Sequence, residues 1–314
     1  MEHIVEFKKK VLENMGRVII GKDKEIELLL IAFLAEGHIL LEDLPGMGKT
    51  MMVRSFSRTL DLPFKRIQFT PDLLPGDITG VSFYNQKTRD FEFREGPLFS
   101  NIILADEINR ATPRTQAALL EAMEERQITV DGLTRKLKKP FMVLATQNPV
   151  ESYGTFPLPE AQMDRFLMRI KLGYPSKAEE KIILLNTLGK VLDHLETVAD
   201  EETLFSIIQE VKKVSISDEV MDYLLDLVRA TRSHEDITLG VSPRGSIALY
   251  RAAQVKAALE GRDFILPEDI QDMALHTLNH RILSDDTSSV EESMEKIRII
   301  MKSIPVPLEN LERN

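Results

Sequence analysis

The amino-acid sequence predicts an α/β domain with a central parallel β-sheet, followed by a smaller all-helical domain. From about residue 38, short apolar runs bounded by turn residues alternate with longer stretches of helical periodicity, which is typical of a parallel sheet. Residues 101–105 are largely apolar without alternation, as expected of a central strand covered by helices on both faces. After residues 173–176 the strand pattern stops. We therefore expect an α/β domain over residues 1–174 and a helical domain over residues 175–314.

Length and composition agree with two domains and exclude several kinds of chemistry. The chain has 314 residues, 43% apolar and 29% charged, which is the balance of an ordinary globular protein. The absence of cysteine excludes disulfides, thiolate zinc sites, iron–sulfur clusters and cysteine nucleophiles. The sequence has no apolar run of the roughly 18 residues that span a bilayer, so we expect a cytoplasmic protein. A net charge of −10 disfavours nucleic acid as the main partner.

The individual elements follow from the same patterns. A helix is expected to start at Thr112 and Pro113, where an N-cap residue precedes a proline at the first helical position. Two stretches interrupt the alternation of strands and helices, and both are expected to be hairpins. One is an insert at about 75–97, and the other, at about 127–138, contains the turn pair Asp131 and Gly132. The predicted strands cover residues 38–41, 66–69, 102–105 and 142–145.

The strongest chemical signal is the segment DLPGMGKT at residues 43–50, which lies between a predicted strand and a predicted helix. Phosphate binding by such a P-loop needs small residues so that backbone N–H groups close around the oxygens, a lysine, and a hydroxyl for Mg²⁺. Asp43 stands where the general pattern has its first glycine, a position that opens the loop. The residues expected to contact ATP are Pro45, Gly46, Met47, Gly48, Lys49, Thr50 and Met51, with Thr50 also on Mg²⁺.

Acidic residues follow the predicted central strand. Asp106 and Glu107 come directly after residues 102–105. At the carboxyl end of a central strand, Asp106 is expected to hold the hydrated Mg²⁺, and Glu107 is expected to orient or deprotonate the attacking water. An acidic pair at a solvated loop start is the alternative interpretation of this signal on its own. The P-loop and this pair together predict ATP hydrolysis.

Two further polar residues have an alternative explanation each. Asn148 ends another predicted strand, where it would bind the γ-phosphate or the attacking water, but an Asn–Pro turn fits as well. Ser242, Pro243 and Arg244 begin a predicted helix. A cation in the first turn is unfavourable against the helix dipole, so Arg244 is expected to face a bound anion. The alternative is an arginine whose stem covers the protein surface.

These motifs carry a resemblance to a known family. Over essentially its whole length the chain resembles the MoxR family of AAA+ ATPases. The matching segments are EGHILLE at 36–42, DEINRA at 106–111, QAALLEAME at 116–124, ATQNP at 145–149, GTFPLPEAQ at 154–162, DRF at 164–166 and SPR at 242–244.

The resemblance implies residue roles that spacing alone only suggests. Asn148 matches the sensor 1 residue and Arg244 the sensor 2 arginine of the lid. Arg165 matches the arginine finger, which acts on ATP bound to a neighbouring subunit. Ile20 and Gly21 lie in a segment that resembles the family's adenine side. The insert at 75–97 matches the family's extra element within the second core helix.

The resemblance also implies cofactors, partners and a biochemical role. ATP with Mg²⁺ would be the substrate and cofactor, and the assembly would be a homo-oligomeric ring, usually hexameric, acting on a protein client. A partner with a von Willebrand factor A domain is common in the family. We expect chaperone-like remodelling or maturation of protein complexes. The alternatives are a slow nucleotide-dependent switch or scaffold and a DNA-directed motor.

One other pattern has the spacing of a metal site. His276 and His280 are four residues apart in a predicted helix, as metal-binding histidines often are. The sequence supplies no obvious third ligand, so a metal site is not expected there.

Overall fold

A computed structural model describes residues 1–42, 46–148, 154–186, 195–284 and 289–307. The strands are β1 (Ile39–Glu42), β2 (Phe64–Gln68), β3 (Gly80–Asn85), β4 (Asp90–Glu95), β5 (Ile102–Asp106), β6 (Gln127–Val130), β7 (Leu133–Lys136), β8 (Met142–Gln147) and β9 (Met168–Ile170). The helices are α1 (Glu2–Gly16), α2 (Asp23–Leu34), α3 (Lys49–Thr59), α4 (Pro75–Thr79), α5 (Pro113–Glu125), α6 (Glu160–Met163), α7 (Lys177–Asn186), α8 (Glu201–Val211), α9 (Asp218–Ser233), α10 (Pro243–Leu259), α11 (Pro267–Thr277) and α12 (Val290–Ser303).

Five parallel strands form the central sheet in the order β2, β5, β8, β1 and β9. The predicted central position of β5 is confirmed, because β5 pairs with β2 on one side and β8 on the other. The four predicted strands are present, with ends shifted by one or two residues. The fifth, β9, is only three residues long and was not among the predicted strands, although residues 168–172 alternate between apolar and polar side chains.

The two predicted hairpins are also present. Strands β3 and β4 pair antiparallel in the insert, and β6 and β7 pair antiparallel in the second hairpin. Asp131 and Gly132 both have positive φ, 53° and 75°, as a tight two-residue turn requires. The guanidinium of Arg135 on β7 lies 3.9 Å from the ring centre of Phe93 on β4, so a cation–π contact joins the two hairpins.

Both faces of the central sheet are covered. In β5, Ile102 and Leu104 belong to one buried cluster, whereas Ile103 and Ala105 belong to another. The first cluster continues into α1, α2, α3 and the helices after β9, and the second includes α5 and side chains of the insert. This layering explains why β5 is apolar without alternation, and it agrees with the prediction that helices cover both faces of the central strand.

All described regular elements after β9 are helices, as the sequence predicts. Helix α10 begins as expected, with the Ser242 hydroxyl accepting a hydrogen bond from the Gly245 N–H at 3.3 Å. The helical lid packs on the N-terminal helices, and Lys8 of α1 and Lys256 of α10 both pair with Glu27 of α2. The boundary between residues 174 and 175 remains a prediction.

Two further points concern the lid and membranes. The prediction that His276 and His280 lie in one helix is wrong, because α11 ends at Thr277 and His280 lies in the following turn. Burial lowers the pKa of both imidazoles, and the Nε2 atom of His280 lies 3.0 Å from the Phe166 carbonyl oxygen. Within the described ranges, none of the helices is both long and apolar enough to cross a membrane.

Candidate active site

A cavity of about 440 Å³ opens at the carboxyl end of the parallel sheet, where α/β proteins commonly bind ligands. We call it the P-loop cavity. It brings together most of the residues that the sequence predicts for ATP and Mg²⁺. Pro45 lies outside the described residues. The lining residues are Gly46, Met47, Gly48, Lys49, Thr50, Met51, Arg54, Arg66, Gln68, Asp106, Glu107, Thr146 and Asn148.

The glycines of the loop are explained by backbone conformation. Gly46 and Gly48 have φ values of 84° and 82°, in the left-handed region that favours glycine. Among the described residues other than the chain neighbours, a β-carbon at either position would meet no atom within 4 Å, so this part of the loop borders open space. Helix α3 starts at Lys49, and the positive end of the helix dipole favours an anion there. The loop therefore has the form of a phosphate cradle.

Asp106 is held by two side chains from neighbouring strands. The Arg66 Nη2 atom lies 2.6 Å from Asp106 Oδ2, and the Thr146 hydroxyl donates to Asp106 Oδ1 at 2.6 Å. Arg66 is on β2 and Thr146 on β8, the two strands beside β5. The carboxylate is thus fixed at the edge of the cavity.

Glu107 is held in a comparable way. Its backbone is left-handed at φ 57°, and its N–H donates to the Thr146 hydroxyl at 2.8 Å. Its Oε2 atom accepts a hydrogen bond from Gln68 Nε2 at 2.7 Å and pairs with Arg110 Nε at 3.2 Å. Glu107 therefore lies in the cavity with its carboxylate already engaged by neighbouring side chains.

Four lining residues were missed by the sequence analysis: Arg54, Arg66, Gln68 and Thr146. Arg66 and Gln68 share one face of β2, and Gln68 is directly opposite Asp106 in the strand register. The sequence contains the polar alternation, but it does not reveal that β2 is the neighbour of β5. Thr146 lies inside a matching segment and gives no separate signal.

The residues expected on the adenine side, Ile20 and Gly21, are not among the described residues that line the P-loop cavity. Ile20 is partly buried and Gly21 exposed, and Gly21 adjoins the Glu179 side chain at the start of α7. Lys22 Nζ donates to the Leu172 carbonyl oxygen at 2.5 Å, which ties this segment to the chain after β9. Their role toward adenine stays a prediction.

The two predicted catalytic arginines lie together at a different cavity, of about 220 Å³, which we call the arginine cleft. Arg165 Nε lies 3.2 Å from Glu124 Oε2, and Arg244 pairs with the other oxygen of the same carboxylate. Among the described residues, the arginine cleft and the P-loop cavity share no lining residue. The charged residues at the cleft are Glu36, Glu124, Arg126, Asp164, Arg165, Arg244, Arg251 and Arg281.

The arginine cleft is positively charged, since five arginines face three carboxylates. Burial lowers the pKa of Arg126 to about 10 and lowers that of Arg281, with the carboxylates of Glu36 and Asp164 opposing the shifts. Arg126 therefore remains charged at neutral pH. The cleft offers guanidinium groups to an anion, whereas the loop, the carboxylates and the hydroxyl that the sequence predicts for hydrolysis lie at the P-loop cavity.

Comparison with known proteins defines the class. Residues 38–168 match the family described as ATPase family associated with various cellular activities (AAA), and residues 229–300 match the AAA lid domain. The first range contains the P-loop, Asp106, Glu107 and Asn148, and the second contains Arg244. Fold and site together define a P-loop ATPase of the AAA+ class with a helical lid.

Individual relatives define the family. The chain is 51% identical to the uncharacterised protein YeaC of Bacillus subtilis, with 96% of this chain and 95% of YeaC covered. It is 36% identical to the chaperone MoxR1 of Mycobacterium tuberculosis, with coverages of 96% and 82%, and 30% identical to MoxR of Methylorubrum extorquens, with coverages of 94% and 93%. The chain belongs to the MoxR family of AAA+ ATPases, and it is an ATP-hydrolysing enzyme.

Solved structures agree with this fold. A candidate ATPase from Cytophaga hutchinsonii superposes with a TM-score of 0.89 at 40% identity, and 98% of each chain is covered. An MCM homologue from Methanopyrus kandleri superposes with a TM-score of 0.62 at 20% identity, covering 90% of this chain and 62% of that one. The second likeness concerns the fold alone.

Proposed function

We propose that this chain hydrolyses ATP in a homo-oligomeric ring, in which Arg165 and Arg244 of one subunit complete the P-loop cavity of the next. The ring would couple hydrolysis to chaperone-like remodelling or maturation of protein complexes. Both arginines would stabilise negative charge that develops on the transferred phosphoryl group.

One observation carries the proposal: Arg165 and Arg244 are paired with each other through Glu124 at the arginine cleft. They come from different parts of the chain, one next to α6 and the other from the first turn of α10. Two guanidinium groups held together are suited to a polyphosphate. Since the phosphate cradle belongs to the other cavity, the phosphate that they serve would be bound to a neighbouring subunit.

The P-loop cavity contains the groups for the chemical step. Lys49 and the loop backbone would bind the phosphates, and Glu107 would orient the attacking water and accept its proton. Asn148 would hold the water or the γ-phosphate. Thr50 and Asp106 are oxygen donors that fit Mg²⁺. When bound, Mg²⁺ would neutralise phosphate charge. The contacts of Glu107 with Gln68 and Arg110 fix its carboxylate in the resting structure.

The remodelling part of the proposal has separate support. One relative is named a chaperone, and the insert exposes large apolar side chains, among them Phe91, which is 72% exposed and packs edge-on against Tyr84. Exposed aromatic groups favour contact with another protein. A protein client, a von Willebrand factor A domain partner, a hexameric ring and a cytoplasmic location belong to the same proposal.

The test is ATP turnover per subunit as a function of protein concentration, with Arg165→Ala beside the parent. We expect the parent's specific rate to rise with concentration and the variant's rate to fall by about 10³-fold. A parent rate that is flat with concentration, together with a variant that hydrolyses at the parent rate, would contradict the shared site.

The slow-switch alternative is separated by Glu107→Gln. We expect this variant to bind ATP and to lose multiple turnovers, because the group that takes the proton from water is gone. If the parent itself makes a single turnover and then stays bound to product, the switch replaces the motor. Stimulation of the parent by DNA at low salt would favour the DNA-directed alternative.

A further inference from the structure

The buried guanidinium of Arg281 contacts the chain on both sides of Arg165. Its Nη2 atom donates to the carbonyl oxygens of Asp164, at 3.1 Å, and Phe166, and its Nη1 atom donates to the Leu167 carbonyl at 3.1 Å. The Arg281 side chain is only 2% exposed. The backbone that carries Arg165 is therefore fixed by a side chain that comes from beyond α11.

The guanidinium of Arg281 is also linked to the start of α10, through the carboxylate of Asp164. Arg281 Nε donates to Asp164 Oδ1 at 2.6 Å, and the Ser242 hydroxyl donates to Asp164 Oδ2 at 2.7 Å. Ser242 is the N-cap of α10, two residues before Arg244. One carboxylate thus connects Arg281 to the first turn that carries the second arginine.

Side-chain packing adds to these hydrogen bonds at the start of α10. A β-carbon at Gly245 would lie 2.8 Å from Arg281 Cδ and would overlap the Val241 side chain. The Arg281 stem therefore passes directly against α10, and the position of the helix start is set by packing as well as by hydrogen bonds.

We infer that Arg281 is a positioning residue for Arg165 and Arg244, aligning both guanidinium groups for the phosphates of ATP bound to a neighbouring subunit. The inference rests on the proposed function. Long arginine side chains reach many positions, so stabilising charge in a transition state depends on fixing the backbone beneath them. Arg281 does this for one arginine directly and for the other through Asp164 and Ser242.

The test uses two variants, Arg281→Lys and Asp164→Asn. Lysine retains the charge but lacks the planar fork that contacts several acceptors at once. Asparagine retains the shape of Asp164 and an acceptor for Arg281, but its NH₂ group accepts no hydrogen bond from Ser242. We expect each variant to lose about tenfold or more in turnover while its subunits bind a fluorescent ADP analogue as the parent does.

Mixing with Glu107→Gln subunits before assembly separates positioning from general damage. A Glu107→Gln subunit has a defective P-loop cavity but intact arginines, so it can complete the cavity of an Arg281→Lys neighbour. In a mixture of equal amounts that assembles at random, half of the subunits carry an intact P-loop cavity, and half of those have a neighbour with intact arginines. We therefore expect about a quarter of the parent turnover, although each variant alone is poorly active. A mixture of Arg165→Ala subunits with Glu107→Gln subunits should also recover about a quarter of the parent turnover.

The matched control is Arg262→Lys. Arg262 is another lid arginine with a two-pronged pair, to Asp269 at 2.6 Å for each contact, between the end of α10 and the start of α11. We expect its turnover to stay within twofold of the parent, since it touches neither Arg165 nor the first turn of α10.

Three outcomes would overturn the inference. Parent-like turnover in both variants would show that the alignment is unnecessary. In the second outcome, Glu107→Gln subunits restore turnover when mixed with Arg165→Ala but not when mixed with Arg281→Lys or Asp164→Asn. Arg281 and Asp164 would then contribute only to the general packing of the fold. Parent-like turnover in Arg165→Ala would remove the proposed function, and the inference with it. If Arg281→Lys fails to fold, the Asp164→Asn mixture alone decides between the first two.

Discussion

At the scale of residues, the P-loop cavity is prepared around its two carboxylates. Asp106 and Glu107 share Thr146, whose hydroxyl accepts from the Glu107 N–H and donates to Asp106. Glu107 achieves this in a left-handed backbone conformation that non-glycine residues rarely adopt. Such a conformation at a functional position indicates that the surrounding contacts determine where the side chain points.

Arg66 is the lining residue whose charge bears most directly on Mg²⁺, because it pairs with the proposed metal ligand Asp106 at 2.6 Å. We expect Arg66→Met to lower the Mg²⁺ concentration needed for half-maximal nucleotide binding, since a competing cation is removed. The decrease should be about fivefold, because a half-exposed ion pair contributes no more than about 1 kcal/mol. Titration of Mg²⁺ against binding of a fluorescent nucleotide measures it.

The control for this prediction is Arg54→Met, a change of the same kind in another arginine of the P-loop cavity. We expect Arg54→Met to weaken nucleotide binding at saturating Mg²⁺ and to leave the Mg²⁺ midpoint in place. An Arg66→Met midpoint equal to that of the parent or higher would mean that the guanidinium orients Asp106 for the metal.

Individual residues also show what the sequence can predict. The loop, Asp106, Glu107 and Asn148 were found because each stands next to an element whose pattern is visible in the chain. The meeting of Arg165 with Arg244 depends on how the lid packs, and Gln68 depends on which strand neighbours β5. These are long-range facts that carry no local signal, and so sequence analysis missed them.

At the scale of elements, helix ends carry much of the local information. The start of α10 was predicted from Ser242 and Pro243, and the structure bears it out. The start of α12 has an equally clear signature. The Ser289 hydroxyl accepts from the Glu292 N–H at 3.2 Å, while the Glu292 carboxylate accepts from the Ser289 N–H at 3.0 Å. This reciprocal capping box fixes the last described helix of the lid.

Removal of that cap is expected to destabilise the lid. Ser289→Ala deletes the acceptor for the Glu292 N–H at the start of α12. We expect the free energy of unfolding to fall by about 1 kcal/mol. Guanidinium denaturation followed by circular dichroism measures the change.

Ser289→Asp is the matched replacement, because aspartate is an equally good N-cap. It should retain most of the parent stability. Ser303→Ala, at the far end of α12, removes a hydroxyl that donates to the Ile300 carbonyl oxygen at 2.7 Å and caps no N–H group. A loss at Ser303 as large as that at Ser289 would contradict the capping explanation.

Strand prediction succeeded for the four longer strands of the central sheet and for both hairpins, and it missed the short strand β9. Strand β5 is recognisable because both faces are covered, and the turn between β6 and β7 because Asp131 and Gly132 favour positive φ. Strand β9 has three residues, one of them Arg169, whose guanidinium reaches Glu42 on β1 at 3.2 Å. Residues 168–172 alternate between apolar and polar side chains, but this pattern is short, and only the folded chain reveals that β9 pairs with β1 in the central sheet.

At the scale of the whole molecule, the predicted site residues lie at two separate cavities. The P-loop cavity has the phosphate cradle, Asp106 and Glu107, whereas the arginine cleft has Arg165 and Arg244. Under the proposed function, a chain that separates these groups would gain a complete site through assembly, and subunit concentration is therefore the variable to measure. The net charge of −10 leaves the cleft as a local positive region on an acidic protein.

The stability of the whole fold should fall in mild acid because folding withdraws three neutral histidines from solvent: His38 and His280 are buried, and His276 is partly buried. Burial lowers the pKa of His38 and His280 well below the usual value, and lowers that of His276 to about 4. The unfolded chain binds protons at these residues below about pH 6.5, whereas the folded chain does not. Stability is therefore fully present above that pH and falls by up to about 1.4 kcal/mol per pH unit for each histidine as the pH decreases toward the folded-state pKa.

The decisive measurement is the slope of unfolding free energy between pH 6.5 and 5.5, a window above the ordinary range of carboxylates. His38 is the residue to change, because its Nδ1 accepts from the Val143 N–H and its Nε2 lies 3.0 Å from the Met123 carbonyl oxygen, so both nitrogens are engaged in the neutral ring. We expect His38→Gln to be less stable but to have a shallower slope, since one of the three titrating groups is gone. A His38→Gln slope as steep as that of the parent would indicate that acid acts through the charge of the whole chain rather than through the buried imidazole.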